Sequence, residues 1–334
     1  MAFRSLYTQL FPPKPTLTED NVPSQRGKVF IVTGGNSGVG YELCKILYGT
    51  GATIYMASRS QERASNAINQ IIETKPPPAT PGTLKFLQLD LNDLESVKSA
   101  ALSFASQESK LDVLWNNAGT GGYRVEPFAK TAQGLESMVG MHCVATLLFT
   151  QLLEPQLRAA VAASPSQSGA VRVVWTSSIA ADQGVPPNGI EFELLDTGTE
   201  DRARNYAVSK VGSWMLSREM AQRYGKHGIV SIAQNPGNVR AGSYEGAPAM
   251  VMLLMNRILH DTKFGAYTEL YAGLSPSITL ENNGAYVIPW GRVRPDRECP
   301  RKDIINAMTP EEAGGLGYCK KFWDWCEQQW QPFI

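Results

Sequence analysis

Thr33-Gly34-Gly35-Asn36-Ser37-Gly38-Val39-Gly40 leaves this chain few ways to fold. The octapeptide follows an apolar run, Val29-Phe30-Ile31-Val32, and precedes a segment in which Val39, Leu43, Ile46 and Leu47 share one helical face. A buried parallel strand therefore turns directly into an amphipathic helix. Glycines at 34, 38 and 40 let the backbone turn sharply and approach a pyrophosphate. The new helix N-terminus offers free N–H groups and the positive end of its dipole. A glycine-rich loop alone is weak evidence; between a strand and a helix, at the start of a βαβ unit, it is strong.

The same rhythm continues. Thr53–Ala57, Leu84–Leu89, Leu111–Trp115, Val171–Trp175 and Ile229–Ala233 read as further strands. Between them lie a helix with Ala64, Ala67, Ile68 and Ile71 inward, a long helix from about Ala132 to Arg158, and one carrying Tyr206 to about Tyr224. Pro76-Pro77-Pro78 cannot continue a helix and marks a surface insertion. Repeated βα units of this length predict one doubly wound, Rossmann-type parallel sheet with helices on both faces. We place it at residues 28–288, after an N-terminal extension of residues 1–27. The Met-rich stretch 241–275 breaks the rhythm and follows a strand's C-terminal end, where open α/β sheets place ligands. It reads either as a substrate-covering segment or as a plain packing helix. Residues 289–334 form an aromatic extension, with Phe322, Trp323, Trp325 and Trp330 at roughly helical spacing, that packs on the domain or on another subunit.

Composition narrows the classes of function. The 31 basic and 31 acidic residues cancel, which gives no support to nucleic-acid binding. Cys44, Cys143, Cys299, Cys319 and Cys326 form no C-x-x-C pair, which argues for a reducing, cytoplasmic setting and against disulfides or a bound metal. The longest apolar stretch, roughly Val139 to Leu153, is shorter than the ~20 residues a membrane span needs. The first eleven residues lack the apolar core of a signal peptide. Through Phe3, Leu6, Tyr7, Leu10 and Phe11 they would either pack against the domain or lie on a membrane surface.

Several residues carry chemistry. Tyr206 and Lys210 are four apart and share a helix face, so an ammonium stands near a phenol. Such a cation would lower a phenol pKa that is otherwise about 10, suiting proton transfer near neutral pH. Where an acidic residue would accept a ribose 2′-hydroxyl, the second strand ends in Ser58-Arg59. Arg59, with Arg63 nearby, would pair with a 2′-phosphate, favouring NADP over NAD. Asp90, with Leu91 beside it, is placed to accept from an adenine amino group. Asn117-Ala118-Gly119 ends strand four, where small residues let a cofactor lie close.

Thr33–Gly40, Asn117-Ala118-Gly119, Ser178, Tyr206-x-x-x-Lys210 and Asn235-Pro236-Gly237-Asn238-Val239, in that order, resemble the short-chain dehydrogenase/reductase superfamily over nearly the whole chain. Ser58-Arg59, the long gap between Ser178 and Tyr206, Tyr286-Val287-Ile288-Pro289-Trp290-Gly291 and Phe322-Trp323-Asp324-Trp325-Cys326 resemble its retinol-dehydrogenase-like branch and that branch's fungal members. The resemblance implies that Gly34, Asn36, Ser37, Gly38, Val39 and Gly40 bind the cofactor. It makes Tyr206 the proton donor or acceptor, Lys210 its partner at the nicotinamide ribose, and Ser178 the group that polarises the substrate oxygen. Pro236, Gly237 and Val239 would border the nicotinamide. It implies a small-molecule carbonyl or alcohol substrate, often in secondary metabolism, and family members often dimerise or tetramerise, though nothing here fixes a number.

One position departs from the pattern. His142 stands where the family usually has a catalytic Asn, and Leu135, Met138, Val139 and His142 follow i, i+3, i+4, i+7, so it should face inward. The family's Asn helps hold a water leading to Lys210, partly through its main-chain carbonyl, which any residue supplies. Three readings stay open: a retained relay, an imidazole that shuttles the proton itself, or a hydrogen-bonded core histidine with impaired turnover. An NADP(H)-dependent oxidoreductase leads. Non-redox chemistry in the same pocket and a non-catalytic NADP-binding role are the alternatives.

Overall fold

The computed structural model describes residues 2–164, 169–242, 246 and 258–333, with the backbone alone for residues 2–4. Its centre is an eight-stranded sheet in the order β3-β2-β1-β4-β5-β6-β7-β8. The strands are β1 (Val29–Thr33), β2 (Thr53–Ser58), β3 (Thr83–Gln88), β4 (Val113–Asn116), β5 (Val171–Thr176), β6 (Ile229–Gln234), β7 (Tyr286–Ile288) and β8 (Arg292–Arg294). β1 to β7 run parallel, and β8 returns antiparallel against β7. The chain reverses its direction of sheet growth between β3 and β4, so the strand ends flanking β1 open the crevice that such sheets use for ligands.

Alternation along β1 sorts the core into two layers. Ile31 enters the cluster with Tyr55, Leu114 and Trp214, whereas Phe30 and Val32 enter the one with Ile54, Met56 and Trp115. The helices are α1 (Ala2–Leu10), α2 (Gly38–Tyr48), α3 (Gln61–Ile72), α4 (Leu94–Ala105), α5 (Ser137–Val139), α6 (Ala145–Leu152), α7 (Glu154–Ala163), α8 (Ala180–Gln183), α9 (Arg202–Tyr224), α10 (Thr262–Leu274), α11 (Lys302–Met308) and α12 (Tyr318–Trp330). α2, α3 and α10 supply the Phe30 layer, and α4, α6 and α9 the Ile31 layer. Burial on both faces is why the inner strands read as nearly continuous apolar runs, whereas the edge strand β3 is only partly buried.

Three expectations change. The helix expected from Ala132 to Arg158 is broken. Gly134 sits at φ +79 in a tight turn, and Glu136 caps α5 through Val139 N–H. A π-helical segment at Gly140–Val144 interrupts the run, and Pro155 starts α7 at 50° to the helix before it. The boundary expected at residue 289 falls inside the β7–β8 hairpin, because three-residue strands are too short to show a period. The helix at residues 262–274 is a core element packed on α2, not a cover. Met250, Met252, Leu253, Leu254 and Met255 lie outside the described residues.

Both extensions dock on the domain. α12 buries Phe322, Trp323 and Trp330, and a Cβ on Gly212 of α9 would stand 2.8 Å from the Phe322 ring. In α1, Gln9 is buried and its Oε1 accepts from Asn235 Nδ2 at 3.0 Å, while the Arg292 guanidinium donates to the Thr8 carbonyl at 2.6 Å. α1 therefore lies at the C-terminal ends of β6 and β7, with Tyr7 and Phe11 exposed. Among the described residues no single helix is long and apolar enough to cross a membrane.

Candidate functional site

The parallel strands end on one edge, and the sequence-singled residues gather there. The β1–α2 turn is built as the glycines predict. Gly34 and Gly38 have φ of +67 and +57, where a side chain is strained. A Cβ on Gly40 would lie 2.5 Å from both Gly34 O and Asn117 Nδ2. Asn117 holds the turn by donating to Thr33 O at 2.8 Å, and Ala118 N–H donates to Thr33 Oγ1 at 2.9 Å. Ser37 makes no side-chain cap bond at the α2 N-terminus, which leaves its first N–H groups uncapped by that residue. This cradle of backbone, shaped by missing Cβ atoms, fits a dinucleotide pyrophosphate.

Arg59 and Arg63 are exposed past the end of β2, and neither forms an ion pair among the described residues. Asp90 is half-buried and its Oδ1 accepts the Asn92 N–H at 3.0 Å, which fixes the carboxylate beside buried Leu91. After β6, Pro236 and Val239 meet Val39 around Gly265, tying this loop to the first turn of α2.

Tyr206, Lys210 and Ser178 converge. The Ser178 side chain lies close enough to the Tyr206 hydroxyl to favour its ionised form. Lys210 Nζ is 5.6 Å from the Tyr206 ring centre and donates to the Thr176 carbonyl at 3.1 Å. Burial pushes the Tyr206 phenol up from 10, and only the Ser178 side chain opposes it. That corrects the expectation that Lys210 lowers this pKa. Here the ammonium is directed at a carbonyl, and desolvation prevails. Burial also draws Lys210 down to about 8.

His142 faces inward, as its spacing predicts, and is buried. Thr120 N–H donates to its Nε2 at 3.0 Å, and its Nδ1 lies 2.8 Å from Ser209 Oγ, whose own proton goes to the Tyr206 carbonyl. That pattern assigns the neutral tautomer with hydrogen on Nδ1. Burial, and then the Lys210 charge, hold the imidazole well below 6.5. The ring is locked, with both nitrogens in use.

Sequence reasoning missed the supports. Tyr286 donates to the Ser178 carbonyl at 3.0 Å, and the buried Arg294 guanidinium lies over the Tyr286 ring while pairing with Asp182. Glu269, fully buried on α10, reaches Thr176 Oγ1 at 2.6 Å. A lone acid among Ala266, Leu270 and Ala272 was its one sequence signal.

A family model described as short chain dehydrogenase matches residues 28–190. The chain is 48% identical over 336 residues to the short-chain dehydrogenase/reductase iacJ of Pestalotiopsis fici, spanning 99% of each. The chain belongs to the short-chain dehydrogenase/reductase family. It is also 39% identical over 338 residues to bet4 of Neocamarosporium betae, another short-chain dehydrogenase/reductase, covering 99% of this chain and 94% of the relative. Among solved structures, an uncharacterized protein from Mycobacterium paratuberculosis aligns over 94% of this chain and 97% of its own, at 25% identity and a TM-score of 0.66. The NADPH-bound carbonyl reductase from chicken fatty liver (TM-score 0.57, 20% identity) covers 80% of this chain and 99% of its own. The NADH-dependent reductase A1-R′ complexed with NAD (TM-score 0.59, 20% identity) covers 81% and 98%. These two share the fold. As a family member the chain is an oxidoreductase with a site for a nicotinamide cofactor and a small-molecule substrate.

Proposed function

We propose that the protein is an NADP(H)-dependent oxidoreductase that interconverts a carbonyl and an alcohol on a fairly apolar small molecule. The observation that carries this reading is the Ser178–Tyr206–Lys210 group standing beside the glycine turn at one sheet edge. Gly34–Gly40 would hold the pyrophosphate, Asp90 and Leu91 the adenine end, and Pro236, Gly237 and Val239 the nicotinamide. The nicotinamide, when bound, supplies or accepts the hydride. Arg59, exposed and without an ion pair among the described residues, supports a 2′-phosphate partner, with Arg63 one helical turn further along.

In reduction, Ser178 donates a hydrogen bond to the carbonyl oxygen, and Tyr206 gives that oxygen its proton. In oxidation, the same phenol takes the proton back. A phenol kept protonated by burial suits the donor role, and the Ser178 hydroxyl favours the phenolate left behind. The His142 ring stays out of this exchange because Thr120 and Ser209 occupy its nitrogens. Non-redox chemistry in this pocket, such as a cyclisation or isomerisation, would draw its main support from His142, and the commitment of both ring nitrogens weakens it.

The apolar substrate is inferred from the Met-rich residues 250–255, and the likeness to fungal family members supports a secondary-metabolite intermediate. Five unpaired buried thiols suit a reducing cytoplasm. The test is turnover of NADPH and NADH with a panel of ketones and aldehydes. NADPH oxidation should be the faster, and Tyr206→Phe should lower kcat/KM roughly 100- to 10,000-fold. Wild-type turnover in that variant would refute the assignment.

A further inference from the structure

Behind the site the sheet carries a polar thread that the proposed chemistry does not use. Thr176, the last residue of β5, faces both layers. Its carbonyl accepts from Lys210 Nζ on α9 at 3.1 Å, and its hydroxyl donates to Glu269 Oε1 on α10 at 2.6 Å. Gln234, the last residue of β6, donates through Nε2 to the same Oε1 at 2.6 Å and to Thr176 Oγ1 at 3.0 Å. Glu269 has no exposed surface, and its Oε2 has no hydrogen-bond partner among the described residues. An acid placed there is costly unless its charge or its proton is put to use.

We propose that Glu269 is a positioning residue for Lys210: through Thr176 it fixes the carbonyl that aims the ammonium, and as a nearby carboxylate it helps the ammonium keep its proton. This rests on the reading of Tyr206 and Lys210 as the proton-handling pair. The surroundings leave Glu269 few other partners. Thr176, Gln234 and Trp115, facing it from the sheet, are neutral, and Trp115 Nε1 bonds the Glu269 carbonyl rather than its side chain. On α2, the carboxylate Glu42 interacts with Asp261 and Lys263 at the other end of α10. Neutral His142 and the Cys143 thiol face Lys210 from the π segment. Among the described residues, Lys210 is the charge that bears on Glu269. Burial raises the carboxyl to about 7.

Glu269→Gln keeps the shape and removes the charge. Its alkaline limb in kcat/KM for carbonyl reduction should move down by about one pH unit, because Lys210 loses an anion that favours its protonated form. Melting of the full-length chain gives a second readout without turnover. The wild type should lose stability relative to Glu269→Gln as pH rises through about 7, since the folded state alone holds the Glu269 proton there. A uniform drop in melting temperature with the limb unmoved would reduce Glu269 to a packing residue and overturn the proposal. If Glu269→Gln does not fold, Thr176→Val is measured. It removes a hydrogen bond to the carboxylate, so the limb should again move down, and an unmoved limb overturns the proposal. If no carbonyl substrate turns over, the function proposed above fails, yet melting still decides the coupling. In a Lys210→Met background the Glu269-dependent transition should rise above about 7, and an unchanged transition would exclude coupling.

Discussion

Replacing His142 by Gln tests whether the imidazole is the locked, neutral group that its hydrogen bonds describe. A Gln carbonyl can still accept the Thr120 N–H, so the fold keeps its satisfied turn while the titrating ring disappears. The folded-state pKa of His142 lies well below 6.5, through burial and then Lys210, so the unfolded chain binds a proton there that the folded chain refuses. The contribution is fully present above the unfolded pKa and is lost as pH falls towards the folded value. Between pH 7 and about pH 5.5 the linkage amounts to about 1.3 kcal/mol, taking an unfolded histidine pKa of about 6.5. Glu269 acts in the opposite sense: its raised pKa stabilises the folded state at low pH, and that contribution is lost as pH rises through about 7. The two partly cancel in the wild type, so the difference between chains is the quantity to follow. Urea unfolding of both proteins across this range should show His142→Gln gaining about 1.3 kcal/mol on the wild type as pH falls. A difference that stays constant would mean the ring is not held neutral, and the tautomer argument would fail.

Arg59→Asp should reverse the cofactor preference, changing the NADPH to NADH ratio of kcat/KM about 10- to 100-fold, the worth of one charged hydrogen bond; an unchanged ratio would remove Arg59 from the site. Arg294→Met should cost about 3–5 kcal/mol in denaturant unfolding, because it strands buried Asp182 without a countercharge. Adding Asp182→Leu should recover most of that loss. Tyr206→Phe should leave urea unfolding near the wild type while lowering kcat/KM by the factor given above, which separates the chemical role of the phenol from its packing.

The βα frame was legible because five of the six longer strands are buried along nearly their whole length and are therefore mostly apolar, while the edge strand β3 is only partly buried. The glycine turn was legible because Gly34 and Gly40 have mechanical reasons to lack a Cβ, one in its φ and the other in the atoms 2.5 Å away. What escaped were features made by distant residues. β7 and β8 are three residues each and exist as strands only because β6 offers an edge to pair with. The π segment has no local signature beyond Gly140, whose absent Cβ admits Thr131 and Leu135. The phenol pKa was misread for a related reason. Spacing in sequence placed Lys210 beside Tyr206, but could not reveal that the Thr176 carbonyl would take the ammonium.

Those missed contacts bear on how a site without the family's usual Asn can still move protons. The His142 side chain is committed to the Thr120 turn and to Ser209, so any route to Lys210 along this segment must use main chain. The π-helical turn at Gly140–Val144 disturbs the regular carbonyl pattern there, with Met141 O accepting from Thr146 Oγ1 and His142 O from Ser213 Oγ at a long 3.4 Å. A protonated imidazole at this place would have to oppose the Thr120 N–H and the Lys210 charge together. Having His rather than Asn at 142 therefore changes a side chain that is committed to Thr120 and Ser209. That commitment predicts His142→Asn to alter stability more than turnover.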